Sequence, residues 1–192
     1  MPKNILSRPI GFFALSGVII LLVLASSVIL NRDAQVSAAQ QGTVVTLIPP
    51  DQAYPGELIT VKLVVNNAQN LAGYQGTVRY GVNDLRLTGV IPAEGLSRSG
   101  RDIIPLEAVW GEGTVVVGAA TCPVADCNDS QYDTAPRYLQ GADGYVELSS
   151  LEFIAQAPGQ YQMTLENVQL VDPQGNQLGA VSTNVVLEVN TR

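Results

Sequence analysis

Residues 74–80 alternate between two kinds of side chain, and this alternation most limits how the chain can fold. The residues expected on a buried face are Tyr74, Gly76, Val78 and Tyr80, and those expected to face solvent are Gln75, Thr77 and Arg79. A period of two is the repeat of a strand that packs one face on a core. A polar turn at residues 81–84 precedes a second β-rich run at residues 85–90, so the sequence predicts a strand–turn–strand unit.

Short β-rich runs separated by turn residues continue through the rest of the chain. The predicted strands are residues 43–48, 58–65, 74–80, 85–90, 114–119, 145–155, 160–170 and 181–189. The predicted turns are Asn66-Asn67, Asp143-Gly144, Pro158-Gly159 and residues 172–176, all rich in turn-forming residues. About eight or nine strands at this spacing predict an all-β fold, an antiparallel β-sandwich.

The N-terminal segment from Ile10 to Leu30 is uncharged and follows Lys3 and Arg8. As a helix that rises about 1.5 Å per residue, it is long enough to cross a bilayer. Positive charge before the segment predicts that the bulk of the chain lies outside the cell. Two interpretations stay open: an uncleaved signal-anchor, which the length favours, and a signal peptide that is cut after Ala38.

The sequence therefore divides into three parts. Residues 1–30 are the signal-anchor or signal peptide, residues 31–42 are a polar, flexible tether, and residues 43–190 are one globular domain. We expect this domain on the extracellular side of the membrane, either anchored there or secreted.

Charge and composition exclude several classes of function. The chain has 10 basic and 17 acidic residues, a net charge of -7, and no basic run of the kind that binds nucleic acid. It contains no histidine, which removes Ser-His-Asp and Cys-His catalysis and histidine-based zinc sites. Glu147 and Glu152 would face opposite sides of an unbulged strand, which does not suit a pair of catalytic carboxylates. We expect neither an enzyme nor a cofactor.

Further motifs accompany the strand–turn–strand unit, in a fixed order. They are Tyr54-Pro55-Gly56-Glu57 before a hydrophobic strand, the run 141–155 before Pro158-Gly159, and residues 167–172 leading to Gly175. This order resembles that of cohesin domains, the sandwich modules that bind dockerins. The resemblance covers about residues 43–189. Residues 91–112 and 122–140 fit it poorly and look like insertions or variable loops.

The resemblance implies a jelly-roll sandwich that binds a protein partner, a dockerin-bearing or other protein, and does no catalysis. In cohesins the dockerin docks on one sheet face, which includes the strand equivalent to residues 74–80. The candidate partner-binding residues are Gln75, Thr77 and Arg79, together with Gln160, Gln162 and Thr164 on a second strand. On that strand Tyr161, Met163 and Leu165 should point inward. The alternative interpretation is that all six are ordinary solvent-facing sheet positions.

The segment around residues 122–133 holds two further candidates. Cys122 and Cys127 lie close together in an exported domain, which favours a small disulfide loop over a metal or redox pair. Asp126, Asn128, Asp129 and Asp133 supply oxygen atoms that suit calcium, but their order does not match an EF-hand loop. A solvated polar loop is the favoured interpretation of these four residues.

Two other functions stay open. A carbohydrate-binding module would bind polysaccharide on exposed aromatic side chains such as Trp110, Tyr132 and Tyr138, although we favour a packing role for Trp110. A structural subunit of a cell-surface assembly or membrane complex would instead use residues 10–30 to pack against other helices.

Overall fold

Strands dominate residues 42–123 and 140–192, the residues that the computed structural model describes. In chain order the elements are β1 (Val44–Ile48), β2 (Leu58–Leu71), β3 (Gly73–Arg79), β4 (Leu85–Pro92), a 3₁₀-helix η1 (Glu94–Ser99), β5 (Arg101–Pro105), β6 (Val109–Gly111), β7 (Thr114–Pro123), β8 (Ala142–Ala155), β9 (Gly159–Val171), β10 (Gln177–Leu178), β11 (Val181–Ser182) and β12 (Val185–Val189). The all-β prediction is confirmed. The N-terminal helix and the tether predicted before residue 42 lie outside the described residues.

The strands form two sheets. The first sheet has the order β11-β1-β2-β8-β4, and the second has the order β10-β9-β3-β7-β5, with β12 also paired to β9 and β6 also paired to β7. Neighbouring strands are antiparallel except β1 and β11, which run parallel. The predicted antiparallel sandwich is therefore confirmed.

One hydrophobic core lies between the sheets and draws on strands of both. Leu63 and Phe153 from the first sheet and Val78 and Leu187 from the second are at most 1% exposed. The ring of Tyr80 meets that of Phe153 edge to face, with centroids 5.2 Å apart. Because apolar side chains from both sheets fill this layer, neither sheet could keep its inner face dry alone.

β2 is longer than the sequence predicts. It continues past Asn66-Asn67, which were expected to close it, and ends at Leu71. Asn67 and Asn70 take φ values of 55° and 54°, and the pairing of β2 with β8 shifts register around them. Asparagine tolerates left-handed backbone better than most residues. Asn67 and Asn70 therefore form bulges within a strand, and the expected turn does not occur.

β8 contains a bulge that changes which of its residues share a face. Leu63 pairs with Ser149, whereas the next residue, Val64, pairs with Glu147, so β8 carries an extra residue at this point. The extra residue puts Glu147 and Glu152 on the same outer face. The sequence-based expectation of opposite faces holds only for an unbulged strand and is wrong here. Asp143-Gly144, expected as a turn, also lies within β8.

Residues 91–112, expected to be an insertion or variable loops, contain regular structure. They include the end of β4, then η1, β5 and β6, and the last two strands pair with β7 at one edge of the second sheet. Their short lengths, together with β10 and β11, explain why the described residues contain twelve strands where eight or nine were expected. Within the described ranges no helix is long and apolar enough to span a bilayer.

Candidate functional site

The six candidate partner-binding residues lie on two adjacent strands of the second sheet. β3 pairs with β9, and Arg79 of β3 is directly opposite Thr164 of β9. Gln75 and Arg79 are exposed and Thr77 is half-buried, while Tyr74, Gly76 and Val78 are buried as their alternation predicts. The outer surface of β9, β3, β7, β5 and β6 is called the outer face of the second sheet below.

β9 presents its predicted polar side to the same outer face. Gln160 and Gln162 are exposed, whereas Met163 and Leu165 are buried, and Tyr161 is half-buried at the edge of the core. Thr164 is half-buried, and its hydroxyl oxygen lacks a hydrogen-bond partner among the described residues. Whether any of these residues contacts a partner stays a prediction.

An ion pair lies near the middle of this polar region. The guanidinium of Arg79 donates from Nε to Oε1 of Glu166 over 3.1 Å and from Nη2 to Oε2 over 3.3 Å. The hydrogen bond with Glu166, and then the charge of Glu166, raise the pKa of Arg79 above its ordinary value. The two-point contact holds both side chains in one orientation on an otherwise uncharged patch of glutamines and threonines.

Apolar side chains occupy the other half of the outer face. β7 continues the sheet beside β3. Its outward residue Val116 pairs with Val109 of β6, and Ala120 pairs with Ile104 of β5. Between them, Gly118 is hydrogen-bonded to Leu106, the residue after β5. The large apolar side chains here are well exposed, at 43% for Ile104, 48% for Leu106 and 64% for Val109. Large apolar side chains exposed together are typical of interaction surfaces.

Leu106 packs directly against Gly118 of β7. Its backbone N–H donates to the carbonyl oxygen of Gly118 over 3.0 Å. A Cβ atom added to Gly118 would lie only 3.0 Å from Cδ1 of Leu106, so the leucine side chain lies over the bare backbone of β7. Leu106 therefore projects above the sheet, beside the flat polar surface of β3 and β9.

Sequence reasoning missed this apolar half because it lies on short edge strands. β5 has five residues and β6 has three, too few for a convincing alternation. A signal was nevertheless present, since residues 103–110 contain six apolar residues and end at the glycine-rich turn of residues 111–113. Such a run between turn signals is consistent with strands.

The remaining sequence-based candidates have mixed outcomes. Trp110 is 52% exposed on β6, so its side chain is not in the core, and a packing role at the sheet edge stays a prediction. Tyr132 and Tyr138, its proposed companions in a sugar-binding row, lie outside the described residues, as do Asp126, Asn128, Asp129 and Asp133. Cys122 is at the end of β7 and Cys127 is outside the described residues, so their disulfide stays a prediction.

The described residues contain no candidate metal site. Between residues 42–123 and 140–192, no group of three or more acidic or cysteine side chains is placed to hold a metal ion. Glu147 makes an ion pair with Lys62, with 3.0 Å between Oε2 and Nζ.

Comparisons with known proteins agree with the observed topology. No family model and no curated protein matches this sequence. Solved structures do match, and the second type II cohesin module of the adaptor scaffoldin ScaA from Acetivibrio cellulolyticus superposes with a TM-score of 0.61 at 16% identity, over 80% of this chain and 92% of that one. The fold is that of a cohesin module.

Two further cohesins support this assignment of the fold. A non-cellulosomal cohesin from the archaeon Archaeoglobus fulgidus gives a TM-score of 0.57 at 19% identity and covers 78% of this chain and 91% of its own. The OlpA cohesin of Clostridium thermocellum, solved in complex with a dockerin, gives 0.59 at 10% identity over 78% of this chain and 100% of its own. The cohesin-like sandwich inferred from motif order is confirmed, and at these identities the likeness concerns the fold.

Proposed function

We propose that this chain is a non-catalytic protein-binding module and that its partner docks on the outer face of the second sheet. The observation that carries the proposal is the division of that face into a polar half on β3 and β9 and an exposed apolar half on β5, β6 and β7. Protein interfaces bury apolar side chains next to polar ones, and this face offers both side by side.

The shape and chemistry of the face favour a protein over a small molecule. Ile104, Leu106 and Val109 project from a sheet surface, where a broad partner can cover all three at once. Gln75, Gln160 and Gln162 supply both donors and acceptors beside them, which suits recognition of a polar rim. The Arg79–Glu166 pair adds a fixed charge pattern that favours one orientation of the partner.

A dockerin-bearing protein is the partner class that this proposal favours. Cohesins of the same fold have been solved in complex with dockerins. The described residues offer one such face, so we expect one partner for each molecule.

We further propose that the module works outside the cell. Its support is the sequence alone, namely the uncharged segment from Ile10 to Leu30 preceded by Lys3 and Arg8. A domain held at the surface by this segment would fix its partner there.

Affinity capture with two opposed variants tests the binding face. The full-length chain is used as bait against secreted proteins from the same cells, and the captured protein is identified, purified and titrated by calorimetry. Leu106→Asp places a charge in the apolar half of the face. Leu58→Asp is the control, because Leu58 is 58% exposed but belongs to the first sheet.

We expect Leu106→Asp to weaken the affinity for the partner by at least about tenfold, because burying an unpaired carboxylate costs more than about 1.4 kcal/mol. Leu58→Asp should leave the affinity unchanged. Equal affinities for Leu106→Asp and the unmodified chain would remove the outer face of the second sheet as the docking site. Equal losses in both variants would point to a general effect on folding and would equally contradict the proposal.

A further inference from the structure

A second candidate site lies on the first sheet, away from the proposed protein-binding face. An open pocket of about 480 Å³ lies between the end of β4, the 3₁₀-helix η1 and the outer side of β8. Its lining residues are Ile91, Pro92, Ala93, Glu94, Gly95, Ser97, Glu147 and Ser150. This volume falls in the range of small-molecule sites.

The pocket is built into the fold. The N–H of Ala93, just before η1, donates to the carbonyl oxygen of Leu148 over 3.0 Å and pins the start of the helix to β8. Gly95 then comes so close to β8 that an added Cβ atom would overlap the backbone of Glu147. Gly100, with φ of 77°, ends η1 and turns the chain into β5. These contacts fix the walls, so the pocket does not need a ligand to form.

The polar groups of the pocket suit hydrogen bonding to a neutral ligand. Oε2 of Glu147 accepts a hydrogen bond from Lys62, whose charge compensates that of the carboxylate. Oε1 of Glu147 stays available as an acceptor. The hydroxyl of Ser97 donates to the carbonyl oxygen of Glu94 over 2.7 Å, so its own lone pairs remain to accept. Ser150 adds a hydroxyl that both donates and accepts. Among the described lining residues, Glu94 is the one whose charge no ion pair compensates, which disfavours anions and is too little for a divalent cation.

Apolar surface lies beside these polar groups. Ile91 is 49% exposed at one side of the pocket, next to Pro92. Tyr145 is 46% exposed on the outer side of β8, two residues before Glu147, and lies outside the pocket lining. Hydroxyl partners and apolar surface side by side match the two faces of a pyranose.

We propose that this pocket binds one sugar unit of a neutral glycan. Carboxylate and hydroxyl oxygens of Glu94, Glu147 and Ser150 bind the sugar hydroxyls, and Ile91 with Pro92 contacts its apolar face. This site is separate from the protein-binding face and does not depend on it. A molecule with both would hold a protein partner on one sheet and a polysaccharide on the other.

The test uses the full-length chain and a panel of neutral tetrasaccharides cut from β-glucan, xylan, mannan and galactan, with a tetragalacturonate as the acidic comparison. Binding is measured by calorimetry and by saturation-transfer NMR. The pocket variant combines Glu94→Ala with Ser150→Ala, and circular dichroism verifies that it folds. Glu112→Ala is the control, since Glu112 is an exposed glutamate outside the pocket. Leu106→Asp reports on the other sheet.

We expect at least one neutral tetrasaccharide to bind, and the pocket variant to weaken it by about tenfold or more. Glu112→Ala and Leu106→Asp should bind the sugar like the unmodified chain. The proposal is overturned if no neutral sugar binds with a dissociation constant below about 10 mM, which corresponds to a binding free energy of about 3 kcal/mol. It is equally overturned if the acidic sugar binds best, if the pocket variant keeps full affinity, or if calcium alone binds and is lost with Glu94→Ala.

Discussion

The hydroxyl of Tyr74 joins the two sheets through a buried hydrogen bond. It donates from β3 of the second sheet to the carbonyl oxygen of Leu148, at the bulge of β8, over 3.0 Å. That oxygen also accepts from the N–H of Ala93. One carbonyl oxygen at the bulge therefore accepts from both a core tyrosine and the residue just before η1.

Replacing Tyr74 with phenylalanine measures this link. We expect Tyr74→Phe to lower the free energy of unfolding by about 1 kcal/mol, because one buried hydrogen bond is lost while Ala93 still satisfies the carbonyl. Urea denaturation gives the value. Tyr54→Phe is the control, since the hydroxyl of Tyr54 makes only a long, exposed contact of 3.5 Å with Gln52. Equal stabilities for both variants would contradict the role given to Tyr74.

The same tyrosine predicts a pH dependence. Burial raises the pKa of Tyr74 above its ordinary value of 10.0, because the folded protein favours the neutral phenol. Its contribution to stability is complete below that value and is lost as pH rises through the folded pKa. We therefore expect unfolding free energy to fall above about pH 10, and to fall less steeply in Tyr74→Phe. Tyr80, whose pKa burial also raises, keeps part of the slope in the variant.

Two glycines of β3 should respond to alanine in opposite ways. A Cβ on Gly76 would lie 3.5 Å from Cδ1 of Leu165 and 3.7 Å from Cγ2 of Val168, at ordinary contact distance in the core. A Cβ on Gly73 would lie 2.9 Å from Cγ2 of Val171 and 3.3 Å from the carbonyl oxygen of Ala119. We expect Gly76→Ala to raise the free energy of unfolding by about 0.5–1 kcal/mol and Gly73→Ala to lower it. Urea denaturation of both variants decides, and a loss of stability in Gly76→Ala would contradict this account.

Bulges separate what the sequence predicts from what it does not. The alternation of β3 was predicted in full because no residue interrupts its pairing between Gly73 and Arg79 with β7. The faces of β8 were not, because the extra residue at the bulge reverses parity between Glu147 and Glu152. Nothing local distinguishes Leu148-Ser149 from their neighbours, whereas the carbonyl oxygen of Leu148 accepts from Tyr74 and Ala93, both distant in sequence. Parity beyond a bulge is therefore set by tertiary contacts.

The candidate binding face shows the same division. Its polar half lies on β3 and β9, long strands whose alternation is visible in the sequence. Its apolar half depends on the pairing of the short strands β5 and β6 with β7, and their own sequences do not specify that partner. Gln75 and Arg79 could be named in advance, whereas Leu106 could not.

The 3₁₀-helix η1 packs on β8 through a position that requires glycine. A Cβ on Gly95 would overlap the backbone of Glu147, which is part of the sheet and cannot move aside like a side chain. We expect Gly95→Ala to lower the free energy of unfolding by about 1–3 kcal/mol, as overpacked sites do. The buried Leu96 beside it would be displaced, and hydrogen exchange of residues 94–99 should accelerate.

Gly179→Ala is the control for this prediction. Gly179 has open space around its Cβ position and no left-handed backbone, so alanine should leave stability almost unchanged. If Gly95→Ala unfolded at the same urea concentration as Gly179→Ala, the close packing of η1 on β8 would be contradicted.

The two proposed sites occupy different sheets of one sandwich, so a single molecule can use both at once. The chain's net charge of -7 does not collect on the centre of the protein-binding face, where Arg79 compensates Glu166. Binding there should depend on packing more than on long-range attraction, which salt would screen. On the proposed attachment, the N-terminal segment would set where both sites are displayed.

Membrane attachment through Ile10 to Leu30 is the prediction that concerns the full chain. A segment of roughly 30 Å at about 1.5 Å per residue matches a bilayer core, so the protein should sediment with membranes and require detergent for release. Ile20→Arg puts a charge at the centre, at a cost of about 3 kcal/mol, and should release the protein or block its export. Gln41→Arg, in the tether, should change neither membrane attachment nor export.

Protease added to intact cells should remove the domain, and N-terminal sequencing of the mature protein completes the test. A mature chain that begins at Ala39 would show export without an anchor and would contradict attachment through this segment.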